Sequence, residues 1–330
     1  MKNLITAIVL IASSTVFAQK ALDSYKQVLP STLKRSIQID QKKGYLVKEV
    51  KPNVYLLTEG IYQSAFVVTN EGVIVIDAPE SLGANIVKAV KEVTTQPIVT
   101  LVYTHGHIDH IGGSKFLKDI ENLEIIALES TASFLRLKND PRRLVPTKTF
   151  NGSYVISKGD KQIHLSNHSN YHSNEGDLFV SIPEDKFLMV IDVLAPGYVP
   201  FKDLDLSSNV HAYLNVFDQI LAYDFDVFIG GHLTSIGNRR DVEIAQEYVK
   251  DVYETVKKVH ANTNLFTSMS ATAKIAGWNN KYLLFDTFLN EVIDESTKEL
   301  ESRWSNRLAG VDVFTRSHAA AMLKYVRWDD

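Results

Sequence analysis

The chain has 330 residues, 45% hydrophobic and 22% charged, with a formal net charge of −4. That balance is ordinary for a globular protein with a sizeable core, and it gives no electrostatic reason to expect a nucleic-acid partner. Cysteine is absent, which excludes disulfides and thiolate metal ligands.

The first segment reads as an export leader. Lys2 supplies a short cationic start, Leu4 to Phe17 is apolar and broken only by Ser and Thr, and the small residues Val16 and Ala18 precede Gln19. This pattern predicts a signal peptide over residues 1–18 with cleavage after Ala18, and hence a periplasmic or secreted mature protein. The apolar stretch is too short for a comfortable bilayer span, so no stable membrane insertion is expected. Residues 19–45 are mixed and polar, and Ala21 to Lys51 has no strong period. This stretch is expected to form an N-terminal extension packed on the domain surface.

From Val54 the text becomes β-rich. Val54 to Thr58, Ala65 to Thr69 and Gly72 to Asp77 are short β-branched runs divided by turn residues. Leu82 to Val93 has helical spacing, and Ile98 to Tyr103 reads as a buried strand. Gly112 to Ile120 is expected as helix, Glu124 to Leu128 as strand and Ser130 to Lys138 as helix. After Pro146 the expectation is β again at Ser153 to Ser157, Lys161 to Ser166, Asp177 to Ile182 and Lys186 to Ile191. A helix over Asn209 to Ala222 and a buried strand over Val227 to Gly231 follow. Helical patterns then run from Arg240 to His260, around Leu283 to Trp304 and from Ala319 to Arg327. The two strand-rich stretches suggest two packed sheets with helices outside. The helices beyond residue 240 carry no motif and are read as scaffold.

The chemistry concentrates just past the strand Ile98 to Tyr103. His105, His107, Asp109 and His110 are four potential ligands within six residues, followed by Gly112 and Gly113. Imidazole and carboxylate suit Zn²⁺ and other first-row metals. In an extended segment, residues two apart project to the same side, so His105 and His107 can grip one ion. Once the chain turns into a helix, Asp109 and His110 point elsewhere and can serve a second.

This His-x-His-x-Asp-His segment after a hydrophobic strand resembles the signature of the metallo-β-lactamase-fold superfamily, and the resemblance covers about residues 46–240. It implies an α/β fold, an αββα four-layer sandwich, here with a helical C-terminal extension over residues 241–330. It also implies three further ligands. His172, in a His-Ser context before Gly176 and Asp177, completes a first set with His105 and His107; His168 competes for that place. His232, after Gly230 and Gly231, joins Asp109 and His110. Asp192, closing an apolar strand, bridges both metals, although Ile191 stands where the family often has Gly. Asp77 either supports the site from behind or caps the following helix. His164, His211, His260 and His318 lack partner ligands and read as structural.

The resulting expectation is an exported hydrolase with two divalent ions, Zn²⁺ foremost, with Fe or Mn open. A metal-bound hydroxide would attack a small-molecule ester, lactone, thioester or lactam, with Asp109 as catalytic residue orienting it or carrying its proton. A β-lactamase proper and an iron-dependent redox member of the superfamily are the alternatives. Gly-x-Ser-x-Gly does not occur, so serine catalysis has no support. Tyr62, Tyr198 and Phe201 stand either as an apolar pocket wall or as loop packing.

Overall fold

The computed structural model describes residues 25–330. The leader expected at residues 1–18 and the start of the extension lie outside the described residues. Two sheets form the centre. The first has seven strands in the order β1 (Leu46–Lys51), β2 (Val54–Thr58), β3 (Gln63–Thr69), β4 (Gly72–Ile76), β5 (Ile98–Val102), β6 (Glu124–Leu128) and β7 (Lys148–Phe150). It is antiparallel from β1 to β4 and parallel from β4 to β7. The second has five strands, ordered β12 (Val227–Ile229), β11 (Phe187–Val190), β10 (Phe179–Ile182), β9 (Lys161–Ser166) and β8 (Ser153–Lys158).

Between the sheets lies a dry layer of aliphatic side chains, among them Leu56, Val67, Ile74, Val102, Leu165, Val180, Met189 and Ile229. The outer face of the first sheet is covered by α2 (Asn85–Val93) and α4 (Glu129–Lys138), which bury Ile86, Val90 and Leu135 against Val73, Val75 and Leu101. A short α1 (Pro30–Leu33) precedes the sheets, and α3 (Ile108–Ile111) follows β5. Because both faces of β4 are covered, it reads as an unbroken run, Gly-Val-Ile-Val-Ile, buried throughout. Each such side chain contributes about 1.5–3 kcal/mol on leaving water.

The second sheet is covered by α5 (Val210–Leu221), α6 (Arg239–Asn262), α8 (Lys281–Trp304) and α9 (Val311–Trp328), and α7 (Leu265–Ala276) packs on α8. Phe217 of α5, Val249 of α6, Trp304 of α8 and Met322 of α9 belong to one continuous cluster with Leu188, Val190 and Phe228 of the sheet. The C-terminal helices are thus the outer layer of the sandwich extended, and they share its core.

Several local expectations are corrected. Leu46–Lys51 is an edge strand rather than part of the extension; its half-exposed, Lys- and Glu-bearing face hides the β period. The helix expected over Gly112 to Ile120 is instead α3 followed by a 3₁₀ turn at Ser114–Leu117. A Cβ on Gly113 would lie 2.4 Å from the Pro79 carbonyl oxygen, so the chain here packs backbone to backbone. The last helix begins at Val311, directly after Gly310 at φ +76°.

Topology brings the candidate ligands to one edge. Phe179 pairs with Val190 in an antiparallel ladder, so the segment entering β10 lies beside the end of β11. β12 runs parallel to β11, which places Gly230–His232 at that same edge. The sheets are joined there by main-chain hydrogen bonds from Gln63 N to Gly231 O (2.7 Å) and from Leu178 N to Thr104 O (2.9 Å).

Candidate metal centre

All seven predicted side chains converge. His105, His107, His172 and Asp192 form one group and Asp109, His110 and His232 another, and within each the donor atoms lie within 4.8 Å of one another. Asp192 stands between the groups. Its Oδ2 lies 3.3 Å from His105 Nε2 and 3.2 Å from His172 Nε2, while its Oδ1 lies 3.3 Å from His110 Nε2 and 2.7 Å from His232 Nε2. His107 Nδ1 is 2.9 Å from His172 Nε2, and His110 Nε2 is 3.2 Å from His232 Nε2. Asp109 Oδ2 is 3.6 Å from His110 Nε2.

Local backbone explains the placement. His107 is extended, with φ −73° and ψ 147°, after a bend over Thr104–Gly106 that carries His105; α3 then turns Asp109 and His110 toward the other group. Asp192 has φ +57° and Asp77 φ +60°. Both end a strand in the left-handed region, which a short polar side chain tolerates better than most.

A cation fits this arrangement. His105 Nε2 and Asp192 Oδ1 are buried without an aligned hydrogen bond, although neighbouring nitrogens stand within 2.7–3.3 Å of that oxygen. The donor atoms of both groups gather around a common space at Asp192. Burial holds the His105 imidazole well below its ordinary pKa, and burial and His172 lower that of His107, so both present neutral nitrogen. Burial pushes the Asp192 carboxyl up, but His110, His172 and His232 outweigh it and keep the group well below the usual carboxylate range. Burial lowers the His110 pKa, but Asp192 and Asp109 outweigh it and raise it to about 9, so this imidazole would release its proton on binding a cation. An anionic carboxylate beside the neutral imidazoles of His105 and His107 is donor chemistry that suits a divalent ion.

The supporting contacts were only partly foreseen. Asp77 is fully buried and accepts hydrogen bonds from Thr104 N (2.8 Å) and Thr104 Oγ1 (2.6 Å), while Thr104 Oγ1 sits 3.2 Å from His105 Nδ1. It therefore braces the ligand loop through Thr104 and caps no helix. Burial raises its pKa to about 7, against the pull of His110 and Thr104. Asp177, expected in a strand, instead accepts from the backbone N–H of His172 (2.8 Å) and Ser173 (3.1 Å) and so sets the turn that presents His172. His168 is turned away and bonds the Tyr223 hydroxyl at 2.7 Å.

Asp205 was missed altogether. The turn Lys202–Leu206 is left-handed, with φ of +54° at Asp203, +61° at Leu204, +55° at Asp205 and +54° at Leu206. Such a conformation costs L-residues roughly 1–2 kcal/mol each. Tertiary contacts offset it: Asp203 N donates to Ser317 Oγ (2.9 Å), Phe201 N and Tyr213 OH donate to the Asp205 carboxylate (3.1 and 3.0 Å), and Leu204 is fully buried. No local composition signals a left-handed turn without glycine, so sequence reading had nothing to find.

Tyr62, Tyr198 and Phe201 all line one cleft of about 490 Å³ that opens onto His107, Asp109, His172, Asp192 and His232. They form a wall and are more than loop packing. Gly310 and Phe314 line it too, which corrects the reading of the C-terminal helices as mere scaffold. The strand-like contact of Tyr198 with Ala309, with Val199 N donating to Ala309 O at 3.0 Å, fastens that region to the pocket loop. His318 donates from Nε2 to the Phe201 carbonyl (2.9 Å) and pairs through Nδ1 with the Tyr248 hydroxyl (2.8 Å). His211 and His260 bond Tyr325 and Arg327 away from the site.

The fold and this constellation define a class. The profile of the metallo-beta-lactamase superfamily matches residues 57–232, just over half the chain, and the protein belongs to that family. It is 25% identical over 195 residues to the 2,4-dinitroanisole O-demethylase subunit alpha of Nocardioides sp. (strain JS1661), a match covering 58% of this chain and 58% of that protein. It is 25% identical over 223 residues to the metallo-beta-lactamase type 2 of Elizabethkingia meningoseptica, covering 66% of this chain and 81% of that protein. Among solved structures, metallo-beta-lactamases from Pontibacter korlensis and Hirschia baltica superpose with TM-scores of 0.55 and 0.53, each at 17% identity and over 62% of this chain, covering 97% and 96% of theirs. At that identity the likeness is one of fold.

Proposed function

We propose that the chain is a dinuclear metal-dependent hydrolase that adds water across an ester, lactone, thioester or lactam bond of a small molecule. The observation that supports this most strongly is Asp192, whose two oxygens each face a separate group of imidazoles. His105, His107 and His172 would hold one ion and Asp109, His110 and His232 the other, with Asp192 shared. Such ions supply Lewis acidity and lower the pKa of water from 15.7 to about 7; Zn²⁺ suits the donors best, and Fe or Mn are compatible.

The chain's own residues supply position and proton handling. Asp109 faces the cleft and is only half-buried, so it is the carboxylate placed to orient water and take its proton as general base. In the reaction, the water oxygen bonds to the acyl carbon, the bond to the leaving atom breaks, and the proton passes by way of Asp109 to the leaving group. The apolar wall limits bulk water and strengthens the polar contacts inside.

Elemental analysis of the purified protein, coupled to hydrolysis of esters, acyl-lactones, thioesters and β-lactams, tests this reading. Two zincs with turnover of one class supports it. Two irons with no hydrolysis overturns it in favour of a redox member. Export by the 1–18 leader belongs to the same proposal and rests on sequence alone. A mature N-terminus at Gln19 supports it, and retention of Met1 overturns it.

A further inference from the structure

The cleft is chemically two-sided. Its ionisable lining residues, Asp109, Asp192 and Asp205 with His107, His172 and His232, lie at or beside the ligand cluster. Beyond them the lining is Ile61, Leu194, Val199, Leu206, Leu233 and Phe314 with tyrosines and small residues, and among the described residues no Lys or Arg lines it. Three apolar residues of this wall are also solvent-exposed: Ile61 at 59%, Phe201 at 53% and Leu206 at 54%. Phe201 and Phe314 meet edge to face with ring centroids 4.9 Å apart. Apolar side chains left exposed around a concave site, while the cleft behind them stays open, mark a surface that a ligand covers.

This bears on charge as well as shape. A substrate group that carries its own anion away from the scissile bond would find no cationic partner here, and burying such a charge unpaired is costly. A hydrocarbon group meets no such cost and gains by displacing water from the wall.

Building on the hydrolase reading, we propose that the site takes an uncharged ester-class substrate whose alkyl or aryl group lies between Phe201, Leu206 and Phe314, and that Phe314 on the C-terminal helix is a specificity-determining residue. The position of the wall depends on that helix. Ser317 and His318, one turn beyond Phe314, hold Asp203 N and the Phe201 carbonyl. The C-terminal region and the left-handed turn therefore form the apolar side together, while the two sheets form the metal side. Hydrolysis of such a substrate consumes one water, forms the acyl C–O bond, breaks the acyl–alkoxy bond and releases an acid and an alcohol.

Two measurements on the metal-loaded protein test this. In the first, p-nitrophenyl hexanoate is compared with its ω-carboxylate analogue, and kcat/KM is expected to favour the uncharged ester by about tenfold or more. In the second, calorimetry compares binding of hexanophenone, a ketone with no leaving group, with that of its ω-carboxylate analogue 6-oxo-6-phenylhexanoate. The same preference is expected, and both Phe314→Ala and Phe201→Ala are expected to weaken the ketone by about fivefold or more. Phe201 is half exposed, so its variant remains informative if the Phe314 variant is poorly folded. Equal or better handling of the carboxylates, or ketone binding indifferent to both variants, overturns the inference and leaves the hydrolase reading standing. Selective ketone binding with no ester turned over supports the pocket assignment and overturns the ester-hydrolase reading.

Discussion

His172 donates from Nδ1 to the main-chain carbonyl of Asp205 at 2.6 Å. A carbonyl only accepts, so this contact fixes the tautomer and leaves the Nε2 lone pair facing Asp192 and His107. The carbonyl is aimed by the left-handed turn, which is held in turn by Ser317 on the last helix. A residue of the C-terminal extension thereby reaches a predicted metal ligand through two hydrogen bonds and one strained turn.

Ser317→Ala should loosen that turn. The expected result is a stability loss of about 1 kcal/mol and metal binding weakened about tenfold at the three-histidine group. Thermal melts and competitive chelator titration measure the two effects. Unchanged metal affinity in a destabilised protein would show that the turn does not hold His172.

Asp192→Asn removes the charge between the two groups while keeping nearly the same shape. Four imidazoles then face a neutral amide, so at least one equivalent of metal should be lost on dialysis and hydrolysis should fall at least about a hundredfold. Elemental analysis of the dialysed variant provides the check. Full retention of both ions would rule out a shared ligand at this position.

Gly230→Ala should be destabilising by about 3 kcal/mol, because its Cβ would lie 2.2 Å from the Leu194 carbonyl oxygen. That clash separates the strand leading to His232 from the loop that begins the pocket wall. Urea denaturation midpoints with and without metal give the magnitude, and a loss below about 1 kcal/mol would mean the backbone shifts freely.

His318 provides a pH prediction away from the metals. Burial lowers its pKa from 6.5 to about 4, against support from the Phe201 and Pro200 carbonyls. The unfolded chain binds the proton more readily, so the contribution is fully present above pH 6.5 and is lost as pH falls through 6.5 toward about 4. At about 1.4 kcal/mol per pH decade this amounts to about 3 kcal/mol. His318→Gln keeps a donor for Phe201 and an acceptor for Tyr248 without titrating. The gap in stability between wild type and variant should therefore shift in the variant's favour across that window. Parallel stability profiles would refute the assignment.

Much of the candidate site was legible because its residues come in compact, chemically unambiguous strings. His105, His107, Asp109 and His110 stand together, Asp192 and His232 each follow an apolar run that announces a strand, and His172 stands in the loop before another. The supporting residues were harder to see. Thr104 and Asp177 are ordinary loop residues until their neighbours are known, and Asp205 acts through a backbone carbonyl, which no side-chain motif records. The edge strand Leu46–Lys51 escaped notice because a half-solvated strand need not alternate cleanly.

The sequence by itself determined the two sheets, the ligand strings and their distribution along the chain, since strand burial and imidazole chemistry are written in residue type and spacing. Tertiary structure alone decided which imidazole nitrogen faces the ligand groups, and that Phe314, over two hundred positions from the ligand loop, walls the cleft beside it. Those outcomes depend on how layers pack and on backbone conformations stabilised from a distance, and neither leaves a local trace in the order of residues.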